Sequence, residues 1–312
     1  MTLFRLFILT SLIAGLFSVS ACSGGGEPPL DVAQSPYFAP EDHVLDLDGQ
    51  RVRYRDTGPD DASTIIMLHG FTDSLHTWDA VAEALDDRFR ILRPDLPGHA
   101  LSGPAPDDDY SNAALVRFVG EFIEGVDAKT PVLMGNSLGG LAAWRFAAEN
   151  PDRISGLVLL APGGVPYNGV GDTPLPVPAM LKFYLNQAPE AGVRTALSAM
   201  HADPARVSDG DITRYRDLMR QPGNADAFIA RAAQFTLPNP ADDMAKVTVP
   251  TWIIWGVQDV MLPIDHADQF AAHMPNVTIL RLNGVGHLPQ SEAPERVVEI
   301  LETLVAEIES PQ

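Results

Sequence analysis

A single cysteine, Cys22, stands among 312 residues, so no disulfide within the chain can staple the fold. Basic charge is scarce too: 21 Lys and Arg face 41 Asp and Glu, a formal net charge of −20. A surface of that sign repels phosphate backbones and excludes nucleic acid as a partner. The acids are dispersed, with Asp107-Asp108-Asp109 the longest run, so they read as a solvated surface and not as an acidic tail. Internal repeats, metal-ligand clusters, a phosphate-binding loop and a dinucleotide fingerprint are all missing, and no cofactor is implied. The apolar run over residues 6–19 is shorter than the about 20 residues of a membrane span.

That run has the form of a signal-peptide core. Arg5 is the only charge before it, and it ends at Val19-Ser20-Ala21-Cys22, followed by Ser23-Gly24-Gly25-Gly26. The junction resembles the bacterial lipobox, in which a cysteine after two small residues becomes the lipidated first residue of the mature protein. The resemblance implies a signal peptide over residues 1–21 and lipidation of Cys22. The body is then anchored by acyl chains in a bacterial cell envelope, with Ser23 pointing to the outer membrane. Residues 22–40, rich in Gly and Pro, read as a flexible tether, and residues 41–312 as the folded domain.

Hydrophobic residues make up 46% of the chain, enough for one sizeable α/β domain with an insertion. Residues 43–47 and 51–54 alternate around Asp48-Gly49, a hairpin signal. Apolar-rich runs follow at 64–68, 89–92, 131–134, 154–160, 251–255 and 277–282. Segments of helical periodicity lie between them, one of them capped by Ser111. This pattern predicts a mostly parallel sheet with helices on both faces. Between about 162 and 244 the alternation stops: prolines give way to short helical stretches near 180–185, 193–200, 212–219 and 225–235. With no strand to extend the sheet, this insertion is expected to lie on top of it as an α-helical lid.

The centre of the pattern is Gly135-Asn136-Ser137-Leu138-Gly139, between an apolar strand and an Ala-rich helix. A serine flanked by glycines at i−2 and i+2 at such a junction has the form of a nucleophile elbow. In a parallel sheet the loops after the strands gather along one edge. Here they carry His69-Gly70-Phe71, Asp95-Leu96-Pro97-Gly98-His99, Ser137, Asp259 and His287. Ser137, Asp259 and His287 occur in that order, and over residues 43–308 the chain resembles the α/β-hydrolase family. The resemblance implies Ser137 as nucleophile, His287 as base, Asp259 as its orienting acid, and the N–H groups of Leu138 and Phe71 as the oxyanion hole.

Competing assignments are set aside on context. Asp265 reads as a helix cap, Asp95 as a turn-former, His69 and His99 as loop braces, and His266 and His273 as solvated helix residues. The resemblance implies acyl transfer to water without a cofactor, with a carboxylic ester or lipid-like substrate, as in carboxylesterases and lipases. Asn136 also resembles the elbow of C–C bond hydrolases, whose substrate-carboxylate arginine Arg214 would match. Leu288 stands where that group has tryptophan, so Arg214 reads more readily as a residue of the lid surface. A non-catalytic envelope lipoprotein is the alternative of a different class.

Overall fold

The computed structural model of the protein describes residues 32–309. The expected signal peptide, Cys22 and residues 22–31 of the expected tether lie outside the described residues. The chain from Asp31 onward is a compact unit with its own cores.

Strands β1 (Asp42–Leu47) and β2 (Gln50–Thr57) form the expected hairpin. Its turn residues Asp48 and Gly49 have φ of 50° and 88°, the two positive values a tight primed turn requires. Then come β3 (Thr64–Leu68), α1 (Asp79–Glu83), β4 (Arg90–Pro94), α2 (Asn112–Gly125), β5 (Val132–Asn136), α3 (Leu138–Glu149) and β6 (Gly156–Leu160). The insertion supplies α4 (Ala179–Gln187), α5 (Glu190–Met200), α6 (Asp209–Met219), α7 (Asn224–Gln234) and α8 (Ala241–Met244). The sheet resumes with β7 (Thr251–Gly256), α9 (His266–His273), β8 (Val277–Leu282), α10 (Pro289–Glu292) and α11 (Pro294–Glu309).

The strand order is β1-β2-β4-β3-β5-β6-β7-β8, with β2 antiparallel to both neighbours and parallel pairing from β4 to β8. Pleating sends alternate side chains to opposite faces. Ile65, Met67, Val132, Met134, Val158 and Leu160 join α1 and α11 in one core. Ile66, Leu68, Leu133, Leu157 and Leu159 join α2, α3 and α9 in the other. Burial on both faces is why these strands carry no polar alternation. Ser111 caps α2 as expected, its hydroxyl accepting the Ala114 N–H at 3.2 Å. Ala293, with φ of −145°, separates α10 from α11 just before Pro294, which disfavours a helical conformation at the residue before it.

The fold begins earlier than the sequence suggests. Residues 32–40 were expected to belong to the tether, but Val32 is buried against Ala100, Leu101 and Leu218, with Tyr37 and Phe38 packed beside it. The Tyr37 hydroxyl donates to Asp217 of α6 at 2.7 Å, and its carbonyl accepts from Arg53. The insertion has a core of its own, with Leu185, Val193, Leu197, Ile212, Met219 and Phe228, and Phe71 of the catalytic edge packs against it. Among the described residues no helix is long and apolar enough to cross a membrane.

Candidate active site

Ser137 sits at the corner between β5 and α3 with φ 53° and ψ −110°, a backbone conformation that costs a side-chain-bearing residue about 1–3 kcal/mol. The surrounding structure holds it there. Its N–H donates to Leu160 O at 3.0 Å, and its carbonyl accepts from Gly163 N at 2.9 Å and Leu141 N at 3.0 Å. A Cβ at Gly139 would stand 2.2 Å from Leu68 O, and one at Gly135 2.4 Å from Gly139 O. No side chain fits at either position, so both flanking residues are glycine. Within residues 131–140 every residue is buried except Ser137.

His287 and Asp259 meet at the ends of β8 and β7. His287 Nδ1 donates to Asp259 Oδ2 at 2.8 Å, and the Asp259 side chain has no solvent exposure. The other carboxylate oxygen accepts the N–H groups of Met261 at 2.8 Å and Leu262 at 3.0 Å, so the acid cannot rotate away. A hydrogen on Nδ1 leaves Nε2 as the basic nitrogen. The two loops are laced together by Gln258 N to Val285 O at 3.0 Å and Gly284 N to Gln258 Oε1 at 2.7 Å. A Cβ at Gly256 would lie 2.0 Å from Gly286 O, so glycine is the residue that permits this approach.

Asn136, the residue before Ser137, joins the two halves of the site. Its amide donates to Leu160 O and to His287 O, each at 3.0 Å. The strand that presents Ser137 thus holds the histidine loop directly. On the other side, a Cβ at Gly70 would lie 3.4 Å from Ser137 Cβ, which brings the Gly70–Phe71 peptide against the elbow. Leu138 is the first residue of α3, where backbone N–H groups have no partner within the helix. Neither Leu138 N–H nor Phe71 N–H donates in the loops and caps of the described residues.

The family model described as the alpha/beta hydrolase family matches residues 65–300. The chain belongs to the alpha/beta hydrolase family. An uncharacterised protein of Mycobacterium tuberculosis is 30% identical over 270 residues, covering 81% of this chain and 78% of that one. A monoacylglycerol lipase of Xenopus laevis is 25% identical over 272 residues, again covering 81% and 78%. The solved structure of a candidate lipase of Acinetobacter baumannii superposes with a TM-score of 0.74 at 24% identity, over 87% of this chain and 92% of that one.

Other residues of the hydrolase take places that its sequence only partly foretells. His69 is a brace: its Nδ1 donates to Gly70 O at 2.8 Å, and its Nε2 accepts Leu96 N–H at 2.9 Å. Both ring nitrogens are spent and burial lowers its pKa below 6.5, so it stays neutral. His99 donates to Pro97 O at 3.0 Å, and burial pushes its pKa well below 6.5. His266 is a correction, because it is not solvated. It is 8% exposed, faces the rings of Tyr167 and Trp255, and has its pKa lowered by burial. Asp265 makes no side-chain cap and lies exposed.

Asp95 is more than a turn-former. It is fully buried and accepts Arg53 Nη1 at 2.8 Å, Leu75 N at 2.9 Å and Leu101 N at 3.2 Å. Arg53, itself unexposed, also pairs with Asp42 at 2.8 Å. Arg214 Nη2 donates to Asp211 at 2.8 Å, and its side chain lines a cleft of about 280 Å³ with His76, Tyr215 and Leu288, a lining that does not include Ser137, Asp259 or His287. Glu292, unremarked in the sequence, is 5% exposed and grips both sides of the site. Its carboxylate accepts Gly286 N at 2.8 Å and Ala202 N at 2.7 Å, while Met200 O at the end of α5 accepts His287 N at 2.7 Å. Its only local signal is an acid five residues after the histidine. Among the described residues no cluster of His, Cys, Asp or Glu is arranged to hold a metal ion.

Proposed function

We propose that the protein is a serine hydrolase that cleaves a carboxylic ester through a covalent acyl-enzyme, in the manner of carboxylesterases and lipases. Ser137 Oγ adds to the ester carbonyl while His287 Nε2 takes its proton. The oxyanion is met by the amides of Leu138 and Phe71, each donor of this kind being worth about 2.7–4 kcal/mol in the transition state. Collapse expels the alcohol, which carries away the proton from His287. Water then repeats the cycle on the acyl group, and the acid and Ser137 are released. Asp259 keeps the imidazole in the required tautomer and stabilises its cation.

The observation that carries this reading is the His287–Asp259 hydrogen bond at 2.8 Å, in a loop tied by Asn136 to the strand presenting Ser137. Against C–C bond cleavage stands Arg214, which is paired with Asp211 and lines a cleft whose lining does not include Ser137. Attachment to the envelope through Cys22, with residues 1–21 removed as signal peptide, belongs to the same proposal. The insertion then acts as the lid over a small ester or lipid-like substrate.

The test uses p-nitrophenyl esters of graded acyl length, with and without a fluorophosphonate probe. Turnover that disappears as the probe labels Ser137 is expected. Labelling without turnover moves the substrate to another bond type, and neither labelling nor turnover leaves a non-catalytic lipoprotein. Cys22→Ser is expected to shift the chain from the membrane to the soluble fraction, and unchanged fractionation refutes the anchor.

A further inference from the structure

The buried residues of α7 are Asn224, Ala227, Phe228 and Arg231, which recur at i, i+3, i+4 and i+7 and so share one face. That face meets four consecutive residues of the loop after β4. Asn224 Nδ2 donates to Ala100 O at 2.9 Å, and Arg231 Nη2 to Pro97 O at 3.5 Å. Between them the Phe228 ring meets the His99 ring edge-on, with 4.9 Å between centroids. A Cβ at Gly98, whose φ is 76°, would stand 2.5 Å from Ala227 Cβ, so no side chain fits under the helix. A helix of the insertion is therefore seated directly on a loop of the catalytic edge.

The same ring reaches the loop that carries Phe71. Phe228 meets the Phe71 ring edge-on at 5.6 Å, and Phe71 meets His99 edge-on at 6.0 Å, which closes a triangle of rings. His99 has one hydrogen bond, to Pro97 O, and its Nε2 is buried without a partner. Packing between the two phenylalanines therefore sets the place of this ring. Phe228 itself is 1% exposed and wedged among Leu185, Ile212 and Met219 in the core of the insertion.

The Gly70–Phe71 peptide has few other restraints. Residues 70–73 make one backbone hydrogen bond among themselves, Asp73 N to Gly70 O at 3.4 Å, and Thr72 stands at φ 60°. On the carbonyl side His69 Nδ1 donates to Gly70 O at 2.8 Å. A trans peptide is planar, so fixing that carbonyl aims the Phe71 N–H the opposite way. His69 thus sets the direction of the N–H. Its distance from Ser137 depends on what the Phe71 side chain rests against, and that support is Phe228.

We infer that Phe228 is a positioning residue for the oxyanion hole, fixing through the Phe71 ring how near the Phe71 N–H stands to Ser137. The inference rests on the serine-hydrolase reading, and the test separates the two. Fluorophosphonate labelling rates at Ser137 are measured for the parent, Phe228→Leu, Phe71→Leu, the double variant and Ile212→Ala. The kcat and KM for p-nitrophenyl acetate are measured beside them. The phosphoryl oxygen of the probe takes the place of the ester oxyanion as Ser137 attacks, so its rate reads the hole for any substrate.

Phe228→Leu is expected to slow labelling about 10–100-fold and to lower kcat by the same factor at unchanged KM. Phe71→Leu is expected to do the same, and the double variant to be no slower than either, because one contact is removed twice. Ile212→Ala opens the same core from α6 but leaves the three rings intact. It is expected to lower the melting temperature and to be labelled at the parent rate. Labelling of Phe228→Leu at the parent rate overturns the inference. So does a multiplied loss in the double variant, or an equal slowing in Ile212→Ala. If Phe228→Leu does not fold, Phe71→Leu, at a half-buried position, decides by the same rates. A parent that is labelled but hydrolyses no ester overturns the ester reading alone, and a parent that is never labelled overturns both.

Discussion

One carboxylate oxygen of Glu292 accepts the N–H of Gly286 at 2.8 Å, one residue before His287. The other oxygen holds Ala202 at the end of α5, so a single acid fastens the histidine loop to the insertion. Glu292→Ala leaves two inward-facing donors without acceptors, each worth about 1–3 kcal/mol. The expected result is a lower melting temperature together with a kcat reduced by about 100-fold, as displacement of a reacting group by an ångström produces. A kcat that is unchanged in the folded protein would limit Glu292 to structural support.

Asp259→Asn removes the acceptor that holds the hydrogen on His287 Nδ1. The expected loss in kcat is about 10⁴-fold with little change in KM, read with an activated ester at saturating concentration. Activity within tenfold of the parent would show that another acid orients the imidazole.

Arg53→Met should separate stability from chemistry. It leaves Asp42 without one of its two arginines and Asp95 without its only one, in a site without solvent. Breaking such a pair costs about 3–5 kcal/mol, read as a shifted urea midpoint. The kcat of the folded fraction is expected to stay close to the parent value, because none of these groups touches Ser137 or His287.

Acid should weaken the fold from about pH 6.5 downward. Burial lowers the pKa of His69 and His99 below 6.5, so the native chain holds both neutral where the unfolded chain binds protons. Their contribution is complete above pH 6.5 and is lost as the pH falls from there through the native values, at up to about 1.4 kcal/mol per pH unit for each. Urea unfolding at pH 7.5, 6.5 and 5.5 measures this. Equal stabilities at the three values would contradict it.

What could be read from the sequence depended on distance along the chain. The elbow is legible because Gly135, Ser137 and Gly139 fall within five residues as one motif, although the clash that fixes Gly139 is with Leu68 O on the neighbouring strand, and sheet edges are legible because apolar runs and turn pairs are local. His287 and Asp259 were found through their order and loop context. The Arg53–Asp95 pair spans 42 residues, and neither position carries a sign that the other waits for it. His266 occupies a polar-looking helix start, and the rings that cover it come from Trp255 and from Tyr167, nearly a hundred residues earlier. Val32 stands alone among small and polar residues, so nothing in its neighbourhood shows that Leu218 awaits it. Asn136 was legible as part of a motif, but its grip on His287 O was not, because that carbonyl lies 151 residues away.

Tyr37 sets the path of any force that enters from the N-terminus. Its hydroxyl is fixed to Asp217 and its carbonyl to Arg53, so tension on the preceding residues passes into α6 and the interior of the sheet instead of peeling β1 from its edge. A recombinant protein begun at residue 41 would discard this fastening together with Val32. The useful start lies at residue 31, which keeps the contacts of Val32 and Tyr37.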